Sequence, residues 1–170
     1  MFQTLAQGKR IDAHDNLAPV GPSGTGKSWL ACTIGQKACH DNRSVVYHRW
    51  PELCEDLALA RGEGCHPPLL KFLGRTDFLI LDAFGLEPLD AGTRHDFLEI
   101  LEERYGRRST IITSQLPVTA WHEIIGDPTY ADAILNRLVH NEYRIELTGE
   151  SLRRIHAKGA KNALTKNHNE

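Results

Sequence analysis

Residues 21–28 read GPSGTGKS, and no other stretch constrains the fold as much. Glycine lets the backbone curl into conformations closed to residues with a Cβ, so that successive N–H groups turn inward around an anion. The pattern is G-x4-G-K-[ST], with Gly21, Gly26, Lys27 and Ser28 at the fixed positions and Pro22, Ser23, Gly24 and Thr25 between them. After it, Leu30, Ala31, Ile34 and Ala38 recur at helical spacing as far as about His40. Before it, residues 17–20 form a short apolar run that predicts a strand. A strand, glycine loop and helix in this order hold a polyphosphate. The helix start adds the positive end of its dipole, Lys27 reaches the β- and γ-phosphates, and the Ser28 hydroxyl is placed for Mg²⁺. Residues 21–29, with Trp29 in the first helical turn, are the candidate nucleotide-binding stretch.

A reacting phosphate also needs a carboxylate. FLILD, residues 78–82, is an apolar strand ending in Asp82, the position from which an acid orders the shell of a metal ion. Ser28 and Asp82 are therefore the candidate metal residues. Between the two motifs lies SVVYHRW, residues 44–50, with the β-branched and aromatic character of a strand. Further strands are expected over 109–113 and 143–147. Helices are expected over 51–61, 68–74, from 89 to a stop at Gly106, over 119–125, from Pro128 after an Asp127 cap, and over 151–158. Strands that alternate with helices and are apolar on both faces predict a five-stranded, mostly parallel sheet covered by helices on each side, an α/β fold of three layers. The expected division is a helical lead-in over 1–15, a core over 16–158 and a polar, frayed tail over 159–170. Pro19 is discordant, because proline donates nothing to a ladder and is normally kept to edges and bulges.

The chain has 170 residues, 41% hydrophobic and 25% charged, an ordinary globular mixture. No apolar run approaches the ~20 residues that cross a bilayer, and MFQTLAQGKR lacks the apolar segment of a secretory signal. These features predict a cytoplasmic protein with no membrane partner. The net charge of −2 does not advertise nucleic acid, so DNA contact would fall to local patches such as Arg107-Arg108 or the segment from Arg153 to Lys166. The four cysteines make no CxxC pair, which signals neither zinc nor a redox dithiol. Cys32 and Cys39, seven apart on a helix, are expected to be small buried residues. Cys65-His66 is at most half a metal site, His122 and His140 stand at no metal spacing, and Trp121 and Tyr130 are expected to pack.

From about Asn16 to Arg154 the chain resembles the IstB-like ATPases, helper proteins of insertion-sequence transposition related to the DnaC and DnaA branch of the AAA+ superfamily. The residues that carry the resemblance are GPSGTGKSWLAC, LALARGEG, FLILDAFGLEPL, LEILEERYGRRSTIITSQLPV, WHEIIGDPTYADAILNRLVHN and RIELTGESLRR. The resemblance implies a P-loop NTPase fold with a strand between the two motifs, ATP and Mg²⁺ as ligands, a homo-oligomer with ATP, and a transposase and DNA as partners. It also implies roles at matching positions. Gln115 or Ser114, in TSQ, would orient the attacking water or touch the γ-phosphate. Arg137 would reach the nucleotide of a neighbouring subunit. Arg153, or its neighbour Arg154, would contact the nucleotide in the same subunit. Guanidinium groups suit these tasks because they neutralise charge spread over phosphoryl oxygens.

The chain departs from the family pattern where the strand of FLILD ends. Family members carry a second acid there, and this chain has Ala83. A positioned general base contributes about 10²–10⁴-fold to a rate, and alanine cannot serve as one. Glu87 stands beyond Gly85 and is poorly placed to substitute. The expectation is a protein that binds Mg-ATP and hydrolyses it poorly or not at all. The family's N-terminal helical domain is also absent from this sequence, which with Pro19 suggests a shortened and partly degenerate copy. Three other readings stand beside this one: a helicase loader of the DnaC type, a P-loop remnant without activity, and a small-molecule kinase, for which GEGCHPP offers neither an arginine lid nor an acceptor site.

Overall fold

A computed structural model describes residues 14–139, 142–149 and 151. Five strands, β1 (Asn16–Val20), β2 (Val45–Arg49), β3 (Phe78–Phe84), β4 (Ser109–Ser114) and β5 (Glu142–Glu146), form one sheet in the order β2-β3-β4-β1-β5. Every neighbouring pair is parallel, so each connection must cross the sheet. Helix α1 (Lys27–His40) joins β1 to β2. Helices α2 (Trp50–Glu63) and α3 (His66–Arg75) join β2 to β3, and α4 (Ala91–Arg104) joins β3 to β4. A 3₁₀ turn (Val118–Ala120), α5 (Trp121–Ile125) and α6 (Pro128–Val139) lead to β5.

The alternation of strand side chains builds two cores. Leu17, Phe78, Ile80, Ile111 and Ile145 face α1, where Leu30, Ala31, Ile34 and Ala38 cover them. Ala18, Val20, Leu79, Leu81 and Ile112 face the opposite way, onto α2 to α6. That side contains a ring cluster in which Trp50 and Trp121 meet Phe84 edge-on, with centroids 5.1 and 5.0 Å apart, and Phe97 lies 4.6 Å from Trp50. Phe84 is thereby clamped at the end of β3, two residues after Asp82.

Several sequence expectations are corrected. Cys32 and Cys39 do share a face of α1, but both are exposed, because the buried stripe runs through Leu30, Ala31, Ile34, Gly35 and Ala38. Trp50 belongs to the helix rather than to β2, since its indole is buried among Phe84 and Phe97. Strand β3 continues past Leu81 through an irregularity in its pairing with β4, which places Asp82 and Ala83 inside it. The fourth helix ends at Arg104, two residues before Gly106. Asp127 does cap α6, accepting the Tyr130 N–H at 3.0 Å, and Asp90 caps α4 through Thr93. The helical lead-in expected over 1–15, the helix expected over 151–158 and the tail lie outside the described residues, apart from His14, Asp15 and Ser151.

Pro19 does stand in a strand paired on both sides. The Val20 carbonyl accepts from Leu147 of the β5 side, and the Gly21 N–H donates to Ser114 of the β4 side, so by alternation Pro19 faces β4. The ladder to β5 is registered at all five residues of β1, that to β4 at Leu17 and Val20 alone. The donor that proline lacks is lost on the side where the ladder is already sparse.

Arg104 is a buried cation, 1% exposed. Its guanidinium donates to the carbonyls of Leu73, Thr76, Asp77 and Ser109 and to the Thr110 hydroxyl. It ties the end of α3 to the starts of β3 and β4, the strands whose far ends carry the site.

Candidate functional site

In a parallel sheet the loops beyond the carboxyl ends of the strands form the ligand crevice. Here the crevice is a cleft of ≈ 610 Å³ lined by the glycine loop, Trp29, the ends of β2 and β3, and Gln115. The loop has the backbone its sequence demands. Gly26 caps α1 with φ 93°, a left-handed conformation that residues with a Cβ rarely adopt. Gly21 has φ 147°, and a Cβ there would stand 2.1 Å from the Leu147 carbonyl oxygen. The chain after β5 therefore packs directly on the loop and leaves no room for a side chain at 21.

Lys27 is buried, with its ammonium donating to the carbonyls of Gly21 and Pro22 at 2.7 Å each. Burial lowers its pKa, against the pull of Asp82. The charge is thus held inside the loop, with only neutral partners that an anionic ligand can replace.

Asp82 is the second anchor. Its Oδ1 accepts from the Ser28 hydroxyl at 2.7 Å and from the Thr113 hydroxyl, and its Oδ2 accepts from the Tyr47 hydroxyl at 2.8 Å. Burial pushes the carboxyl pKa up, but the three hydroxyl donors and Arg49 outweigh it and hold the pKa below the usual value. The site therefore presents a carboxylate near neutral pH. Because Ser28 spends its proton on Asp82, the hydroxyl's lone pairs remain for a cation. Among the described residues no three His, Cys, Asp or Glu side chains are grouped to hold a metal by themselves. One hydroxyl and one carboxylate are what Mg²⁺ needs when phosphate oxygens and water complete its octahedron, so the residues fit that ion.

Ala83 has φ 64°. Its N–H donates to the Thr113 hydroxyl at 3.0 Å, and it lines the cleft. An L-residue in this conformation costs roughly 1–2 kcal/mol, least for aspartate and asparagine. Alanine thus occupies a backbone position better suited to the acid it lacks.

Of the residues expected from sequence, Ser23, Gly24, Gly26, Lys27, Ser28, Trp29, Asp82 and Gln115 meet at this cleft, with Gly21 and Pro22 held to Lys27 and the Thr25 hydroxyl bonded to Pro22. Arg137 does not join them. It pairs with Glu102 at 2.7 Å and bonds the Ala133 carbonyl, while its own carbonyl accepts from Asn16, at the opposite end of β1 from the loop. Arg153 lies outside the described residues. His66 Nε2 lies 3.0 Å from the buried Asp96 carboxylate, and among the described residues no group of three potential metal ligands forms there. Sequence reading missed Tyr47, Arg49 and Thr113. Their one signal is position, since Thr113 stands two residues before Gln115, and Tyr47 and Arg49 alternate at the end of the strand preceding the acid strand. A second cleft, of ≈ 680 Å³, contains Arg107, but Lys71, Arg75 and Arg107 face Glu99, Glu102 and Glu103 there, so it has no net basic character.

Comparison with known proteins places this geometry. The sequence family described as IstB-like ATP binding protein matches residues 1–160. Three curated relatives are each named as a putative insertion sequence ATP-binding protein. Two are from Sinorhizobium fredii, 68% identical over 154 residues and 59% identical over 155 residues, each alignment covering 91% of this chain and 63% and 62% of the relative respectively. The third, of IS21 from Pseudomonas aeruginosa, is 33% identical over 157 residues and covers 92% of this chain and 59% of its own. The chain thus spans about three fifths of the length of these relatives. Among solved structures, DnaI matches with a TM-score of 0.75 at 22% identity, covering 86% of this chain and 80% of that one. The DnaC helicase loader matches at 0.72 and 19%, covering 86% and 85%. AMPPCP-bound DnaA from Aquifex aeolicus matches at 0.73 and 18%, covering 97% and 50%. These three share the fold, a five-stranded parallel sheet covered by helices, with the glycine loop between its first strand and first helix. With the family match spanning nearly the whole sequence, the chain belongs to the IstB-like ATP-binding proteins.

Proposed function

We propose that this chain binds Mg-ATP in the cleft at the glycine loop and acts as a nucleotide-dependent assembly factor in insertion-sequence transposition, with little or no ATP turnover. The observation that carries the reading is the bond from Ser28 to Asp82 beside a buried Lys27, which prepares a cation site next to a phosphate cradle. Lys27 exchanges its bonds to Gly21 and Pro22 for phosphate oxygens. Ser28 and Asp82 would hold Mg²⁺, Asp82 through the metal's water, and the ion would supply neutralisation of phosphate charge. Gln115, exposed at the mouth of the cleft, touches the γ-phosphate or its water, and Arg153 contacts the nucleotide from the segment after Ser151. Ala83 offers no proton acceptor, so bound ATP persists.

Loss of the lysine is the direct test. Lys27→Ala removes a charge-assisted bond worth about 1.5–3 kcal/mol, so binding of a fluorescent ATP analogue with Mg²⁺ should weaken about 10-fold or more. Equal, negligible binding by both proteins ends the reading.

In the assembly, Arg137 exchanges Glu102 for the phosphates of a neighbouring copy, and the ATP-bound oligomer engages DNA and a transposase. Arg137→Ala should leave nucleotide binding by the isolated chain unchanged while abolishing ATP-dependent association in sedimentation velocity. Association that survives the substitution removes Arg137 from the interface. The resemblance to DnaI and DnaC is one of fold, whereas the relatives at high identity are insertion-sequence proteins. That favours transposition over helicase loading.

A further inference from the structure

Asp82 is the one acid among the described residues lining the cleft, and its two oxygens are served differently. Oδ1 takes two donors, Ser28 and Thr113. Oδ2 takes one, the Tyr47 phenol. A carboxylate has about four lone-pair sites, so one remains, on Oδ2 beside the phenol.

Both nearby cations are engaged elsewhere. Lys27 bonds to the Gly21 and Pro22 carbonyls, and Arg49 pairs with Glu52 at 3.2 Å. The fixed donors on Asp82 are therefore all neutral hydroxyls. The distinction matters, because a lysine or arginine on Oδ2 would repel an arriving divalent cation and have to leave, whereas a phenol can stay.

Tyr47 also has an alternative it does not take. It stands on β2, an edge strand, and is 43% exposed. Water is available to its hydroxyl, yet the hydroxyl reaches across to β3 and bonds Asp82.

We propose that Tyr47 is a positioning residue for the divalent cation: its phenol pins Oδ2 so that the remaining lone-pair site faces the cleft, ready to accept from the metal's water. Without the phenol the carboxylate is held along its Oδ1 edge alone, and Oδ2 loses the partner that sets its direction. Hydrogen-bond partners of this kind are commonly worth 10–100-fold in metal affinity. The assignment rests on reading the cleft as a Mg-nucleotide site.

The test is a Mg²⁺ titration of fluorescent ATP-analogue binding by wild type, Tyr47→Phe and, as a control, Tyr105→Phe, the same change at an exposed tyrosine that does not line this cleft. In excess EDTA all three proteins should bind the analogue alike. With Mg²⁺, the concentration giving half of the metal-dependent gain should rise about 10-fold in Tyr47→Phe and stay unchanged in Tyr105→Phe. Superimposable Mg²⁺ curves, or a lower Mg²⁺ requirement in Tyr47→Phe, overturn the assignment and leave the nucleotide site standing. Equal weakening with and without Mg²⁺ also overturns it, because that is the mark of a structural role. If wild type shows no Mg²⁺-dependent gain, the underlying reading fails and the assignment with it.

Discussion

Arg104→Met is expected to lower the unfolding free energy by at least about 3 kcal/mol, a large fraction of the roughly 5–15 kcal/mol that holds a domain folded. The guanidinium satisfies four carbonyls and one hydroxyl in a place that excludes water. A buried polar group left without a partner costs about 1–3 kcal/mol, and methionine fills the volume while offering no donor. Burial, with nearby Arg108, pulls the guanidinium down to about 9, still above neutrality, so the group is a cation that the carbonyl dipoles stabilise at working pH. For a chain of this size the thermal midpoint should fall by roughly 10 °C, read by circular dichroism. Arg104→Lys keeps a charge but replaces the planar fork of donors with a single ammonium, and should recover less than half of the loss. A drop below about 1 kcal/mol in the methionine variant would mean that water reaches these carbonyls and that the cluster is incidental to stability.

The contrast between Arg104 and Lys27 shows which parts of this molecule are legible in its sequence. Lys27 announces itself because phosphate binding requires fixed residue types at fixed spacing along one local turn, and the turn is encoded by its own glycines. Asp82 is legible for a similar reason, as an acid ending an apolar run. The five strands are legible because β1, β3 and β4 are apolar on both faces, which only a sheet covered on each side demands. Arg104 is not, since in LEERYG, residues 101–106, it looks like any charge in the last turn of a helix. Its partners at Leu73, Thr76 and Asp77 come from about thirty residues away, brought in by the packing of α3 on α4. Tyr47 and Thr113 are hidden in the same way, because their bonds to Asp82 depend on the register of three neighbouring strands. The cysteine expectation failed for a different reason. A seven-residue spacing says that two side chains share a face, not which way that face points. Only the positions of Ile34 and Ala38 against β3 decide that.

Ala83→Asp is expected to raise ATP turnover by about 10²–10⁴-fold, and the backbone is the reason to expect the substitution to fit. Position 83 already has φ 64°, between Asp82 and Gly85, with its N–H held by Thr113. The strand is pinned just beyond it by Phe84 packing against Trp50 and Trp121, so the irregular stretch does not depend on the residue at 83 for its shape. Aspartate tolerates this conformation better than alanine does, and its side chain would enter a cleft that Ala83 already lines. Three substitutions separate backbone from chemistry. Ala83→Gly relieves the strain and adds no functional group, Ala83→Asn relieves part of it and adds a polar group that cannot act as a base, and Ala83→Asp adds the base. All three should unfold at or above the wild-type temperature, but only the aspartate variant should turn over ATP appreciably, as measured by steady-state phosphate release. Phosphate release by the glycine variant equal to that of the aspartate variant would show that flexibility rather than an acid was missing. If the aspartate variant binds Mg-ATP as wild type does and still releases none, the defect lies beyond position 83, in groups other than the missing acid.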